Sequence, residues 1–251
     1  MSKIATAERV SCEPSDNFVF QRSRLAYHHA ASLISGKVLE IGTGSGYGVE
    51  ILAPKAESFT TVDKFLPSTR LEGVDYIEAC VPPLPFKDGS FDCVVSFQVI
   101  EHIKDDRTFV SEIKRVLRPG GVAIISTPNI ALSLTRNPWH VREYSSAEFT
   151  NLLAPLFKTV EILGVSGNDK IMAYYEQNRL GVARFKRFDL FDLEHRLPRW
   201  ILQIPYDILN RINRRKLLSE NQNLTSSITM DDYSVSGQTI SAFDLFAIAR
   251  R

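Results

Sequence analysis

Three glycines at alternate positions, Gly42, Gly44 and Gly46, follow directly on the apolar run Val38-Leu39-Glu40-Ile41, and Asp63 closes the next apolar run. Glycine lets a backbone bend through angles closed to other residues and pass close to a ligand. A carboxylate at the end of the following strand can accept hydrogen bonds from both hydroxyls of a ribose. Together they predict a ligand that contains a nucleoside. The spacing narrows the class. A dinucleotide loop needs Gly-x-Gly-x-x-Gly, and Tyr47 stands where its third glycine belongs. A nicotinamide-dependent oxidoreductase is therefore disfavoured. Two histidines, His102 and His140, offer imidazoles suited to moving a proton near neutral pH.

Regular elements are needed to position these groups. Helical spacing over Val19 to Ser35 gathers Leu25, Ala26, His29, Ala30, Leu33 and Ile34 on one side, with Gly36 as the stop. Strand-like runs recur at Val38–Ile41, Phe59–Val62, Asp75–Ala79, Cys93–Phe97 and Val122–Ser126, with helical patterns at Tyr47–Ala53 and Asp106–Leu117 between them. Such alternation predicts an α/β fold with a parallel sheet covered on both faces, and ligands sit beyond the carboxyl ends of its strands. After Pro128 the rhythm changes. Residues 129–144 read as a loop, and Ser145-x-x-Glu148 is a capping box opening a helix to about Leu156. Strands follow at Thr159–Val165 and Phe243–Ala249, separated by roughly 75 residues that a simple sheet does not require.

The chain has 251 residues, 44% hydrophobic and 24% charged, with a formal net charge of +1. That balance gives no global reason to expect nucleic acid as a partner. There is no long apolar run, and Met1 to Asn17 is polar, so neither a membrane-spanning helix nor a signal peptide is predicted. Cys12, Cys80 and Cys93 are odd in number and lack metal-type spacing, which fits free thiols in a cytoplasmic protein. Asn223-Leu224-Thr225 is a formal glycosylation sequon, given no weight without an export signal.

The glycine loop, preceded by Glu40, resembles motif I of the class I S-adenosylmethionine-dependent methyltransferases. Leu84-Pro85-Phe86, Asp88-Gly89-Ser90-Phe91-Asp92 and the stretch Val94 to His102 resemble the central block of that family's small-molecule members. Leu117-Arg118-Pro119-Gly120-Gly121 and Ser126-Thr127-Pro128-Asn129 are similar to the block after it. Asn137-Pro138-Trp139-His140-Val141-Arg142-Glu143-Tyr144 resembles a segment of members that modify sugars of bacterial surface glycans. Val99-Ile100-Glu101-His102 also resembles the ubiquinone-pathway O-methyltransferases, more distantly.

The resemblance implies a Rossmann-like, seven-stranded, mostly parallel sheet with helices on both faces. Its final strand is antiparallel, with a helical insertion before it. Residues 1–35 would form a helical cap, 36–170 and 240–251 the S-adenosylmethionine-binding core, and 171–239 a helical insertion on the acceptor side. It implies methyl transfer to a small molecule, with oxygen of a sugar or lipid-linked glycan precursor as the leading acceptor. A quinone-type acceptor and a non-catalytic cofactor-binding scaffold are the alternatives. The oligomeric state is left open.

For the cofactor, the resemblance places Gly42, Thr43, Gly44 and Gly46 against the methionine portion and ribose, and counts Glu40 before them among the cofactor-binding residues. Asp63 would take the ribose hydroxyls, with Lys64 at the adenine edge. Cys80 and Val81 would border the adenine base, and Phe97 and Gln98 would lie beneath the methionine moiety. Family members often carry Asp at the position of Cys80. A thiol is a poor acceptor, so adenine recognition falls to backbone groups at Cys80 and Val81.

Transfer from a sulfonium requires mainly an aligned nucleophile and exclusion of water. A hydroxyl nucleophile also benefits from a base. His102 and His140 are the candidates, and a structural bond to nearby backbone is the plainer role for His102. Arg142 and Tyr144 are candidate substrate contacts, although Arg142 could equally pair with Glu143 or another acid. Glu101 reads as a structural acid. Glu101, His102, His140 and Glu143 lack a tight ligand spacing, and no metal is predicted.

Residues 179–216 carry ten Lys/Arg against four acids, interleaved with aromatic and aliphatic residues. Three readings stand: an amphipathic lid packed on the core, a contact with anionic lipid headgroups at the inner face of a membrane, and a nucleic-acid groove.

Overall fold

A computed structural model describes residues 13–187, 193–220 and 222–251. Any part of the expected cap within residues 1–12, and Phe188 and Phe191 of the basic segment, lie outside the described residues. The elements, in chain order, are α1 (Asn17–Ala31), β1 (Lys37–Ile41), α2 (Tyr47–Leu52), β2 (Ser58–Asp63), β3 (Val74–Glu78), β4 (Phe91–Phe97), α3 (Asp106–Val116), β5 (Leu117–Pro128), α4 (Ser146–Leu153), β6 (Thr159–Gly167), α5 (Asp169–Lys186), α6 (Leu193–Arg196), α7 (Arg199–Glu220), α8 (Gln222–Ser227), β7 (Tyr233–Ser236) and β8 (Asp244–Arg250). The sheet order is β3-β2-β1-β4-β5-β8-β6-β7. Strands β1 to β5 pair in parallel, and β8 runs antiparallel between β5 and β6.

This is the expected architecture with one strand more. Eight strands replace seven because Tyr233–Ser236 forms a short antiparallel edge on β6. That edge falls inside the stretch expected to be a helical insertion. At four residues it is too short to show a periodicity in the sequence.

Alternation along the strands builds two cores. Leu39, Val94, Ala123, Ile125, Leu245 and Ala247 face one side, where Phe109, Ile113, Phe149 and Leu153 of α3 and α4 cover them. Val38, Val95, Ile124, Phe246 and Ile248 face the other, under α1 and α2. A side-chain period of two on the strands explains how neighbours such as Val94 and Val95 serve opposite cores. A third cluster joins Phe18 of α1 to Ile171, Tyr174, Leu217, Ile228, Tyr233 and Phe243. The inserted helices are thus packed onto the first helix as well as onto the sheet edge.

Local sequence fixes the helix starts. Asp105 caps α3 by accepting the Thr108 N–H, and Ser145 with Glu148 closes the predicted capping box on α4. No helix among the described residues is long and apolar enough to cross a membrane.

Candidate functional site

The glycine loop leaves β1 at the carboxyl edge of the sheet. Gly42, Gly44 and Gly46 have φ of 93°, 56° and 94°, in the left-handed region that a β-carbon disfavours. Gly42 is also sterically held: a β-carbon there would stand 2.3 Å from Val99 Cγ2. At Gly44 a β-carbon would meet nothing within 4 Å, so the loop's apex faces open space. Asp63 ends β2 beside it. Its Oδ2 accepts from the Gly44 N–H at 2.9 Å, and Oδ1 accepts from the Phe65 N–H at 2.9 Å. The carboxylate is held at the loop, where its remaining lone pairs can meet a ligand.

Beneath the loop lies a buried polar chain. Thr61 donates to Glu40 Oε2 at 2.9 Å, so the contact of 2.5 Å between Thr43 and Thr61 hydroxyls has Thr43 as donor. Burial pushes the Glu40 carboxyl up to about 7, opposed in part by the Thr61 hydrogen bond. Gly48 permits this arrangement. A β-carbon there would fall 2.3 Å from Tyr27 Cε1 and 2.7 Å from Glu40 Oε1. Tyr27 in turn meets Tyr47 and Phe97 edge-on, at ring separations of 5.3 and 4.8 Å. Tyr27, Gly48 and Thr61 went unselected in the sequence. Gly48 was visible as a fourth alternate glycine, whereas Tyr27 and Thr61 gave no signal.

The other cofactor candidates line the same edge. Lys64 is exposed, with Nζ 5.3 Å from the centre of the Phe65 ring. Cys80 is exposed just past β3, and Val81 is half-buried. The segment after them is pinned by Arg115, which donates to the Leu84 and Phe86 carbonyls and to Asp88 and Glu112. Phe97 is buried at the end of β4. Gln98 follows with φ of 55°, its N–H bonded to the Ser126 carbonyl at 2.9 Å and its Nε2 to Ser126 Oγ at 3.2 Å. A left-handed non-glycine residue at a strand end is a point of backbone strain of the kind found at binding sites. Across the sheet edge, Arg22 of α1 lies 2.8 Å from the buried Asp244 carboxylate at the start of β8. Burial raises the Asp244 carboxyl while Arg22 opposes it.

Next to this edge the two candidate histidines meet. Their rings cross edge to face, centres 5.0 Å apart. His102 Nδ1 lies 3.1 Å from the Trp139 carbonyl, which can only accept, so Nδ1 carries a proton. His140 Nδ1 lies 2.7 Å from Glu143 Oε1, and its Nε2 faces the Asn137 amide at 2.9 Å. Asn137 Oδ1 takes the Trp139 N–H, which turns the amide NH₂ toward His140. The second carboxylate oxygen of Glu143 accepts from the Ser133 hydroxyl. Glu101 is buried, accepts from Thr127 at 3.1 Å, and comes within 4.0 Å of His102 Nε2. Ligand-type atoms of Glu101, His102 and His140 lie within 4.8 Å of one another, a juxtaposition their sequence spacing concealed.

Arg142 and Tyr144, candidate substrate contacts, both bond Asp106. Arg142 Nη1 pairs with Asp106 Oδ2 at 2.5 Å and Nη2 donates to the Lys104 carbonyl. The Tyr144 hydroxyl donates to the same Asp106 oxygen at 2.9 Å, and its ring is buried in the core. The acid that Arg142 finds is thus Asp106, not its sequence neighbour Glu143. Both side chains clamp the loop to the start of α3, a role that fixes the loop bearing His140. The same loop is tied to the insertion by Trp139 Nε1 to Asp207 at 3.1 Å and Arg199 to the Val141 carbonyl at 2.7 Å.

Residues 39–125 match the family model described as "Methyltransferase domain". The chain is 41% identical over 162 residues to a probable S-adenosylmethionine-dependent methyltransferase of Mycolicibacterium smegmatis, covering 60% of this chain and 63% of that one. It is 39% identical over 149 residues to a protein of similar description from Mycobacterium tuberculosis, covering 55% and 54%. The match thus spans less than two thirds of either relative's length. Among solved structures it resembles a Thermotoga maritima S-adenosylmethionine-dependent methyltransferase, described as a possible histamine N-methyltransferase. The TM-score is 0.55 at 16% identity, over 93% of this chain and 91% of that one, a likeness of fold.

Proposed function

We propose that this chain, whose residues 39–125 match a methyltransferase domain, is a class I S-adenosylmethionine-dependent methyltransferase that transfers a methyl group to an oxygen of a small-molecule acceptor. The observation that carries the reading is the join between Gly44 and Asp63. An open glycine apex and an anchored carboxylate lie together at the carboxyl edge of the sheet. Gly42, Thr43, Gly44 and Gly46 would hold the methionine portion, with Glu40 buttressing the loop from below. Asp63 would hold the ribose. Lys64, Cys80 and Val81 would border the adenine, and Phe97 and Gln98 would underlie the methionine end. Bound S-adenosylmethionine supplies a methyl group on a positively charged sulfur.

In this reading His102 Nε2 takes the proton of the acceptor hydroxyl. The Trp139 carbonyl holds the ring in the needed tautomer. Glu101, 4.0 Å from Nε2, stabilises the imidazolium that forms. His140 has its Nε2 engaged by Asn137 and acts by fixing the His102 ring. No metal takes part. A sugar hydroxyl on a soluble or lipid-linked glycan precursor is the acceptor class, supported by the resemblance of residues 137–144 to sugar-modifying members. A cytoplasmic location follows from that substrate class.

The test is transfer of labelled methyl from S-adenosylmethionine to glycan precursors fractionated from bacterial extracts. Label in an alkali-stable methyl ether, lost with His102→Ala, is the expected outcome. Label only on nitrogen or carbon would overturn the oxygen acceptor.

A further inference from the structure

Helix α7 holds the histidine loop on both sides of His140. Asp207 accepts from the Trp139 indole Nε1–H at 3.1 Å, and Arg199 donates to the Val141 carbonyl at 2.7 Å. Both of those loop residues reach on to the turn after β4. The Trp139 carbonyl accepts from His102 Nδ1 at 3.1 Å, and the Val141 N–H donates to the Glu101 carbonyl at 2.6 Å. One loop residue thus stands between α7 and each member of the Glu101–His102 pair.

Trp139 is the link that meets a side chain at both ends. Its N–H donates to Asn137 Oδ1 at 3.0 Å, its indole donates to Asp207, and its carbonyl takes the His102 proton. An indole N–H can only donate, and at this half-buried position Asp207 supplies a charged acceptor. With backbone and ring both fixed, the carbonyl keeps one direction, and the imidazole bonded to it keeps one orientation. Misplacing a reacting group by about 1 Å can cost up to about 10²-fold in rate.

We propose that Asp207 is a positioning residue for methyl transfer: through Trp139 it holds the His102 ring where Nε2 can take a proton. The inference rests on the reading of His102 as the base. It gives the inserted helix α7 a part in the chemistry, exerted through the Trp139 carbonyl.

Imidazole nitrogen NMR of the full chain, isotope-labelled at histidine, tests the link without any acceptor, and His102→Ala assigns the signals. The wild type should show His102 protonated at Nδ1. In Asp207→Ala its nitrogen signals should move toward exchange between the two tautomers. In Asp207→Asn, whose amide oxygen can still accept from the indole, they should stay as in the wild type. Thermal melts check that both variants fold. Unchanged His102 signals in Asp207→Ala, or equal changes in both variants, overturn the proposal.

Methyl transfer to the glycan fractions named above supplies the rate. At saturating donor and fraction, Asp207→Ala should be roughly tenfold slower, with donor affinity unchanged, and should cost nothing further in the His102→Ala background. An equal loss in that background overturns the proposal and leaves His102 as the base. A His102→Ala variant as fast as the wild type overturns the reading of the base and the proposal with it, whatever the nitrogen spectra show.

Discussion

The imidazoles of His102 and His140 meet edge to face with centres 5.0 Å apart, although they lie 38 positions apart in the chain. Each has its Nδ1 engaged by an acceptor, the Trp139 carbonyl for one and the Glu143 carboxylate for the other. At Nε2, His140 receives the Asn137 amide, and His102 stands 4.0 Å from Glu101 Oε1. The proposed reaction gives the proton transfer to His102 and the positioning to His140.

Replacing His102 by Ala should lower kcat by roughly 10²-fold or more and leave donor affinity unchanged. His140→Ala should cost less. Steady-state kinetics distinguish the two, and the reverse ranking would exchange the roles.

Glu101, His102 and His140 are close enough together to attract a divalent ion. Metal-free transfer nevertheless predicts that excess chelator leaves the rate unchanged, and that added magnesium, manganese or zinc does not raise it. Activity lost to chelation and restored by one ion would convert the histidine pair into a metal centre.

The Glu40 carboxyl, lifted by burial from 4.5 to about 7, holds its proton more tightly in the folded chain than in the unfolded one. Its contribution to stability is therefore full below about pH 4.5 and is lost as pH rises to about 7. The change is on the order of 3 kcal/mol. Denaturant melts of Glu40→Gln should show a flatter profile across that window, whereas a profile parallel to wild type would contradict the assignment.

Tyr144 clamps Asp106 from within the core. Tyr144→Phe should destabilise the fold by about 1–2 kcal/mol and leave KM for the acceptor unchanged. A raised KM with unchanged stability would return the hydroxyl to the substrate.

Much of this was legible from residues. The alternating glycines and Asp63 located the loop, because their chemistry is backbone-limited and local. Strands β1 to β6 and β8 were visible through their apolar runs, and α4 through its capping box. The edge strand Tyr233–Ser236 was not, being four residues long and defined only by its partner β6. A sequence shows the types of Arg142 and Tyr144 but not their shared partner Asp106, which lies more than thirty positions away. Tyr27 and Gly48 were missed for a related reason. Their fit to Glu40 exists only once α1 lies across α2.

Calorimetric titration of S-adenosylmethionine into the intact chain and into Asp63→Ala tests the cofactor site directly. One site is expected in the wild type and at least about tenfold weaker binding in the variant, which loses the ribose acceptor. Absence of binding to the wild type, or equal binding by the two proteins, would contradict it.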